Sequence, residues 1–124
     1  MLIKIKHRGE NNVEEEKLLI VDDEKGLVTL LKSYFEINDY EVYTAYSGIE
    51  AIQKIKIQPD IILLDTNMPE MDGFSICEKI RDHISCTILF LTARIQSSDK
   101  IKGFSVGADD YILKTFDLDE LGQE

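Results

Sequence analysis

Three carboxylates stand at the ends of two apolar runs in this sequence. The run 18–21 leads into Asp22 and Asp23, and the run 61–64 leads into Asp65. Continuous apolar runs of this length are typical of strands that are buried on both faces of a parallel sheet. Because open α/β sheets place their ligand crevices at the carboxyl ends of the strands, these acids lie where chemistry is possible.

The three carboxylates predict a site for a divalent cation. If the two strands are parallel neighbours, Asp22, Asp23 and Asp65 meet at one edge, where like charges repel by several kcal/mol. Mg²⁺ fits best, because it accepts a few carboxylates, keeps several waters and leaves room for a phosphate. In an alternative interpretation Asp22, Asp23 and Glu24 only cap the following helix, which leaves Asp65 unexplained.

Two further apolar runs end in groups that suit a phosphoryl group. The run 87–91 leads to Thr92, and the run 110–113 leads to Lys114. Any one such ending is weak evidence, since buried strands must end in something polar. A phosphoryl group on Asp65, however, needs a cation, a hydroxyl donor and an ammonium, and the four strand ends together offer this set.

At these residues the chain resembles the receiver domain of two-component response regulators, from Lys17 to about Leu121. The resemblance implies that Asp65 accepts phosphate from a sensor histidine kinase. It also implies that Asp22 and Asp23 hold Mg²⁺, helped by Asp65 and by the backbone carbonyl of Asn67. The matching motifs are Val21-Asp22-Asp23-Glu24, Leu64-Asp65 with Met68-Pro69 and Met71-Asp72-Gly73, Leu91-Thr92-Ala93, and Gly107-Ala108-Asp109-Asp110-Tyr111 leading to Lys114.

The same resemblance implies roles for the residues around the phosphoryl group. Lys114 and Thr92 would contact it, and Thr92 and Tyr111 would form a switch pair in which the tyrosine turns inward. The alternative for Tyr111 is an ordinary half-exposed strand aromatic. Asn67 and Arg94 occupy positions that tune the lifetime of the phosphoryl group; their alternative is plain loop polarity. The switch would reshape the face of the fourth helix, fifth strand and fifth helix, through which the winged-helix class forms a homodimer.

Apolar runs alternate with amphipathic segments along the chain, which predicts a doubly wound α/β fold. The expected architecture is a flavodoxin-like five-stranded parallel sheet in the order 2-1-3-4-5. Ser47 and Asp72 have the chemistry to cap the second and third helices, and Gly107 to end the fourth. The first helix is predicted to carry its apolar residues at Leu27, Leu30, Leu31 and Tyr34.

The two ends of the chain fall outside the core pattern. Residues 1–16 are predicted to be an N-terminal extension or tail, and residues 17–124 the receiver domain. The fifth helix, at 117–121, is truncated because the chain ends at Glu124. Its start resembles the OmpR-like winged-helix class, so we expect a DNA-binding effector for transcription regulation beyond Glu124. The alternative is a naturally short single-domain receiver.

Composition indicates an ordinary globular domain of 124 residues, 44% hydrophobic and 31% charged. A formal charge of −10 argues against direct binding of nucleic acid or anionic membranes, so DNA is expected only through an effector domain. Cys77 and Cys86 fit no metal spacing, and Cys77 reads as a small core residue. No stretch has membrane-spanning length and no signal peptide is evident, which favours a cytoplasmic protein.

One departure from the receiver pattern keeps other functions open. Thr115 follows Lys114, where receivers usually carry a proline after a cis bond; a non-proline cis bond costs about 3–4 kcal/mol. A receiver-like interaction module that is never phosphorylated is therefore one alternative. Another is a Mg²⁺-dependent phosphohydrolase with an Asp nucleophile, although such enzymes usually carry an acid where this chain has Asn67. As a receiver, the protein would be no general enzyme and would catalyse only its own phosphorylation and dephosphorylation.

Overall fold

Five parallel strands form the centre of the computed structural model, which describes residues 15–68, 72–93 and 107–114. Their order across the sheet is β2-β1-β3-β4-β5, so the predicted doubly wound fold and its strand order are confirmed. The helices are α1 (Lys25–Ile37), α2 (Gly48–Lys54) and α3 (Gly73–Arg81), and a 3-10 turn (Ile55–Ile57) follows α2. The strands are β1 (Lys17–Val21), β2 (Glu41–Ala45), β3 (Ile61–Asp65), β4 (Thr87–Thr92) and β5 (Asp110–Leu113).

The strands are continuously apolar because both faces of the sheet are covered. Along β1, Leu18 and Ile20 pack in the layer that contains α1. Leu19 and Val21 point to the other face and pack in the layer that contains α2 and α3. Side chains alternate across a strand, so only an uninterrupted apolar run can fill both layers. Each fully buried leucine or isoleucine contributes about 2 kcal/mol.

Both predicted helix caps on α2 and α3 are confirmed. The Ser47 hydroxyl accepts a hydrogen bond from the backbone N–H of Glu50 at 3.1 Å. The Asp72 carboxylate accepts one from the backbone N–H of Ser75 at 2.8 Å. These side chains satisfy donors that have no partner inside the helix, which fixes where each helix begins.

The prediction for the buried face of α1 was partly wrong. Leu30 is 52% exposed, and Leu27 and Tyr34 lie at the margin of the core. The stripe that meets the sheet is rotated by one residue, because positions 28 and 35 are also apolar and lie one helical step, about 100°, away. The fully buried residues of α1 are Val28, Leu31 and Phe35.

On α3, Ile76, Cys77 and Ile80 are fully buried in the layer that α2 and α3 share. Burial raises the pKa of the Cys77 thiol to about 11, so this thiol stays protonated at neutral pH. Cys77 is thus the small core residue that the sequence predicted.

Arg81, at the end of α3, ties this helix to the segments that precede β4 and β5. Its Nε and Nη2 donate to the carbonyl of Gly107 at 3.1 and 2.6 Å, and its Nη1 donates to the carbonyl of Cys86 at 2.7 Å. Nη2 also donates to Asp109 Oδ2 at 3.1 Å, and that oxygen accepts the backbone N–H of Ile88 at 2.7 Å. We call these five residues the Arg81 cluster.

Several predictions fall on other parts of the chain. Most of the N-terminal extension, the fourth and fifth helices, Arg94 and the Lys114–Thr115 bond lie outside the described residues. The positive φ of 105° at Gly107 agrees with a left-handed stop at this glycine. Within the described ranges, no helix has both the length and the apolar character needed to cross a membrane.

Candidate functional site

The ends of β1 and β3 bring two carboxylates together. These strands are parallel neighbours with Val21 opposite Leu64, so the next residues, Asp22 and Asp65, reach the same edge of the sheet. The backbone N–H of Asp22 still donates to the carbonyl of Ala45 at 3.1 Å, which continues the ladder past the strand end. Asp22 is 0% exposed and Asp65 3%, so both acids are buried.

The expected cluster of three acids is present. Asp22, Asp23 and Asp65 each offer a carboxylate oxygen, and these oxygens lie within 4.8 Å of one another. Asp22 Oδ1 accepts the backbone N–H of Glu24 at 2.9 Å, but the Glu24 side chain at the start of α1 makes no capping hydrogen bond, which does not support the helix-cap alternative. Among the described residues, no donor is aligned to hydrogen bond with the buried Asp22 Oδ2. Three carboxylates that offer hard oxygen ligands at one point fit Mg²⁺.

Lys114 bridges the two buried acids. Its Nζ lies 2.9 Å from Asp22 Oδ2 and 3.3 Å from Asp65 Oδ1. Burial alone would lower the pKa of Lys114, but the close contact with Asp22 and the charges of both acids raise it overall. The ammonium is therefore charged and already close to Asp65. The contact with Asp22 was missed at the sequence level.

Burial, and after it the neighbouring charge of Asp22, raise the pKa of Asp65 to about 6. Lys114 and the backbone N–H of Asn67, which donates to Asp65 Oδ1 at 3.2 Å, act in the opposite sense. The ammonium and the backbone N–H together only partly offset the cost of burying this carboxylate. The site thus holds negative charge that a cation can compensate.

An open cavity of about 390 Å³ lies over Asp65. Thr92 lines it from the end of β4 and is 8% exposed. Tyr111 lines it from β5 and is buried rather than half-exposed. Its ring packs against Phe90 with centroids 5.4 Å apart. The other lining residues are Asp23, Thr66, Asn67, Phe74, Ala93 and Lys114.

The structure thus brings the expected residues to one cavity, apart from Asp22, which is buried beside Asp65 and does not line it, and Arg94, which lies outside the described residues. Phe74, at the start of α3, was not predicted as a wall of the cavity. Its ring lies 5.0 Å from that of Phe90. The signal was its position one residue after Gly73, at the helix start that faces the site.

A family model, the response regulator receiver domain, matches residues 18–124. The chain belongs to this family. Over 102 residues it is 43% identical to the alkaline phosphatase synthesis transcriptional regulatory protein PhoP of Bacillus subtilis (strain 168), covering 81% of this chain and 42% of that protein. Over 105 residues it is 43% identical to the response regulator SaeR of Staphylococcus epidermidis, covering 84% and 46%. The chain therefore spans less than half the length of these relatives.

Solved structures show the same fold. The chemotaxis protein CheY4 of Vibrio cholerae matches with a TM-score of 0.83 and 32% identity, covering 86% of this chain and 92% of that one. The BeF3-activated N-terminal receiver domain of Klebsiella pneumoniae RstA matches with a TM-score of 0.77 and 32% identity, covering 82% and 88%. The receiver resemblance and the flavodoxin-like fold are confirmed, and the relatives are consistent with the OmpR-like class.

Proposed function

We propose that this receiver domain accepts a phosphoryl group on Asp65 from a sensor histidine kinase. The observation that carries the proposal is the buried Asp65 carboxylate under an open cavity, with the Lys114 ammonium 3.3 Å away. The carboxylate oxygen attacks phosphorus, the phosphorus–nitrogen bond of the kinase's phosphohistidine breaks, and an acyl phosphate forms. Hydrolysis of the acyl phosphate resets the domain.

The residues of the site contribute mainly position and charge. Lys114 pairs with oxygens of the incoming group, and the Thr92 hydroxyl donates to them. The oxygens of Asp22, Asp23, Asp65 and the Asn67 carbonyl would hold Mg²⁺, which when bound neutralises charge on the transferring group. The domain catalyses only its own phosphorylation and dephosphorylation. Asn67 and Arg94 tune how readily water reaches the acyl phosphate.

The readout of phosphorylation lies on a second face. Thr92 and Tyr111 act as the switch pair, and they couple the site to the face of the fourth helix, fifth strand and fifth helix. This face would form a homodimer and control a DNA-binding effector beyond residue 124. Two supporting facts are that the relative PhoP is named as a transcriptional regulatory protein and that PhoP and SaeR are about twice as long as this chain. In this scheme residues 17–124 form a cytoplasmic receiver domain and residues 1–16 a tail.

Phosphorylation is tested by intact mass after incubation with acetyl phosphate and Mg²⁺. We expect one phosphoryl adduct on the wild type and none on Asp65→Asn, which keeps the shape but lacks the nucleophile. Asp82→Asn is the matched control, because Asp82 is an exposed acid at the far end of α3, and it should label like wild type. Equal labelling of wild type and Asp65→Asn, or none of either, contradicts the proposal. The second result favours an interaction module.

The metal is tested by calorimetric titration with Mg²⁺. Asp23→Asn removes one carboxylate of the cluster without emptying the buried core, so Mg²⁺ affinity should fall on the order of tenfold or more. Asp82→Asn again serves as the control and should bind as wild type does. Unchanged affinity in Asp23→Asn would remove Asp23 from the metal site. Turnover of a phosphate ester by the wild type would instead favour the phosphohydrolase alternative.

A further inference from the structure

We propose that Gly73 is a positioning residue for Asp65, because its missing side chain lets α3 begin in contact with the backbone of the phosphoacceptor. A Cβ at residue 73 would lie 2.3 Å from the carbonyl oxygen of Asp65 and 2.8 Å from the Cα of Thr66. The backbone N–H of Gly73 also donates to the carbonyl of Thr66 at 3.1 Å. This inference rests on the proposed function of Asp65.

The clash at residue 73 involves only backbone atoms, so no side chain can rotate to relieve it. A carbon atom needs roughly 1 Å more room than 2.3 Å before it is in ordinary contact with an oxygen. Either α3 or the end of β3 must therefore move by about this amount when a methyl group is added. Which of the two moves depends on how firmly each is held.

The start of α3 is held on two sides. Along its length Ile76, Cys77 and Ile80 are fully buried against the sheet. At its first turn the Asp72 carboxylate accepts the backbone N–H of Ser75 at 2.8 Å. A displacement of the whole helix would open the core, which close-packed interiors resist. We therefore expect most of the shift to fall on the segment after β3.

That segment sets the direction of the Asp65 carboxylate. The backbone N–H of Asn67 donates to Asp65 Oδ1 at 3.2 Å, and the backbone N–H of Thr66 donates to the carbonyl of Leu91 at 3.1 Å. Moving Thr66 and Asn67 breaks or bends these hydrogen bonds and turns the carboxylate away from the Lys114 ammonium. Gly73 acts on the reaction through this backbone and not by touching the phosphoryl group.

Another glycine offers a matched control. Gly26, in α1, is exposed, and a Cβ built there meets nothing within 4 Å. Gly26→Ala therefore adds the same methyl group to a helix without any contact. It reports what a glycine-to-alanine change does to this protein when the space around the residue is open.

The experiment measures the rate of Asp65 labelling at saturating acetyl phosphate and Mg²⁺, corrected for the folded fraction from urea unfolding. Gly73→Ala should label on the order of tenfold to a hundredfold more slowly than wild type, as expected for a misplacement of about 1 Å. Gly26→Ala should label at the wild-type rate. A purely structural role of Gly73 would lower stability but leave the rate per folded molecule unchanged, and that result overturns the inference.

A second pair of variants decides the question if Gly73→Ala does not fold. Asp72→Ala removes the cap of α3 and loosens its first turn. Ser47→Ala removes the equivalent cap of α2, a helix that contributes no residue to the lining of the cavity. The inference requires Asp72→Ala to slow labelling relative to Ser47→Ala. Equal rates overturn it. If the wild type is not labelled, the proposed function fails together with this inference. If the wild type is labelled and the Gly73 and Asp72 variants label at the same rate, only this inference fails.

Discussion

The two ends of the sheet differ in how their charged side chains are paired. At the amino end, the Arg81 cluster gives the guanidinium three acceptors, the carbonyls of Gly107 and Cys86 and the carboxylate of Asp109. At the carboxyl end, Asp22 and Asp65 are buried side by side and share one ammonium. The pKa of Asp65 is raised to about 6 despite this shared ammonium.

This difference separates the part of the sheet that stabilises the fold from the part that does chemistry. Hydrogen bonds to a charged group stabilise a fold when every partner is satisfied. Neighbouring like charges in a buried position cost stability, and such sites are retained where a function needs them. The same five strands thus carry the Arg81 cluster at their amino end and a site with repelling carboxylates at their carboxyl end.

The largest expected effect on stability is at the Arg81 cluster. Arg81→Met keeps most of the apolar stem but removes the guanidinium donors of the cluster, so the free energy of unfolding should fall by about 3 kcal/mol. Arg81→Lys keeps the charge but loses the planar fork, and it should lie between wild type and Arg81→Met. Urea unfolding measures both variants. If the free energy of unfolding of Arg81→Met falls by less than about 1 kcal/mol, the amino end of the sheet does not stabilise the fold as the comparison requires.

A smaller effect of opposite sign is expected at the acidic site. Asp65→Asn should stabilise the metal-free protein by about 2 kcal/mol near pH 8, because the folded chain no longer holds this charge beside Asp22. The folded-state pKa of Asp65 is raised from the usual 3.8 to about 6, so folding favours the protonated form. In wild type this contribution is fully present below about pH 4 and is lost as pH rises through about 6.

The check on Asp65→Asn is the difference in unfolding free energy between variant and wild type across the pH range. Acids far from the site titrate alike in both proteins, so the difference reports Asp65 together with its electrostatic coupling to Asp22 and Lys114. It should be near zero at about pH 4 and grow toward about pH 8. If the difference in unfolding free energy does not change with pH, or if wild type is the more stable near neutral pH, the charge of Asp65 does not destabilise the fold as proposed.

The smallest expected effect compares two glycines. Gly107 has a φ of 105°, and a Cβ there would lie 3.0 Å from Arg81 Cγ, so Gly107→Ala should cost about 1–2 kcal/mol. Gly26→Ala, in open helical space, should instead stabilise by up to about 1 kcal/mol. Thermal and urea unfolding of the two variants give the signs. If Gly107→Ala leaves stability unchanged, the amino end is less tightly built than its hydrogen bonds indicate.

The strand ends could be predicted because their signal is local. Asp65, Thr92 and Lys114 each follow an apolar run, and a parallel sheet collects such positions at one edge. The caps at Ser47 and Asp72 are local too. The buried face of α1 could not be predicted from a local signal, because two apolar stripes lie one helical step apart. Packing against the sheet, which buries Phe35 among others, decides which stripe is covered.

By itself, the sequence determined which groups meet: the alternation of strands with helices predicts a parallel doubly wound sheet, the receiver resemblance implies its strand order, and the last residues of the strands carry the acids, the hydroxyl and the amine. Only the tertiary structure decided how these groups pair. Lys114 reaches Asp22 at 2.9 Å, and Gly73 touches the backbone of Asp65, across contacts between distant parts of the chain. The physical reason is that periodicity fixes the face on which a side chain lies, whereas distances of a few tenths of an ångström depend on how packed elements settle against each other.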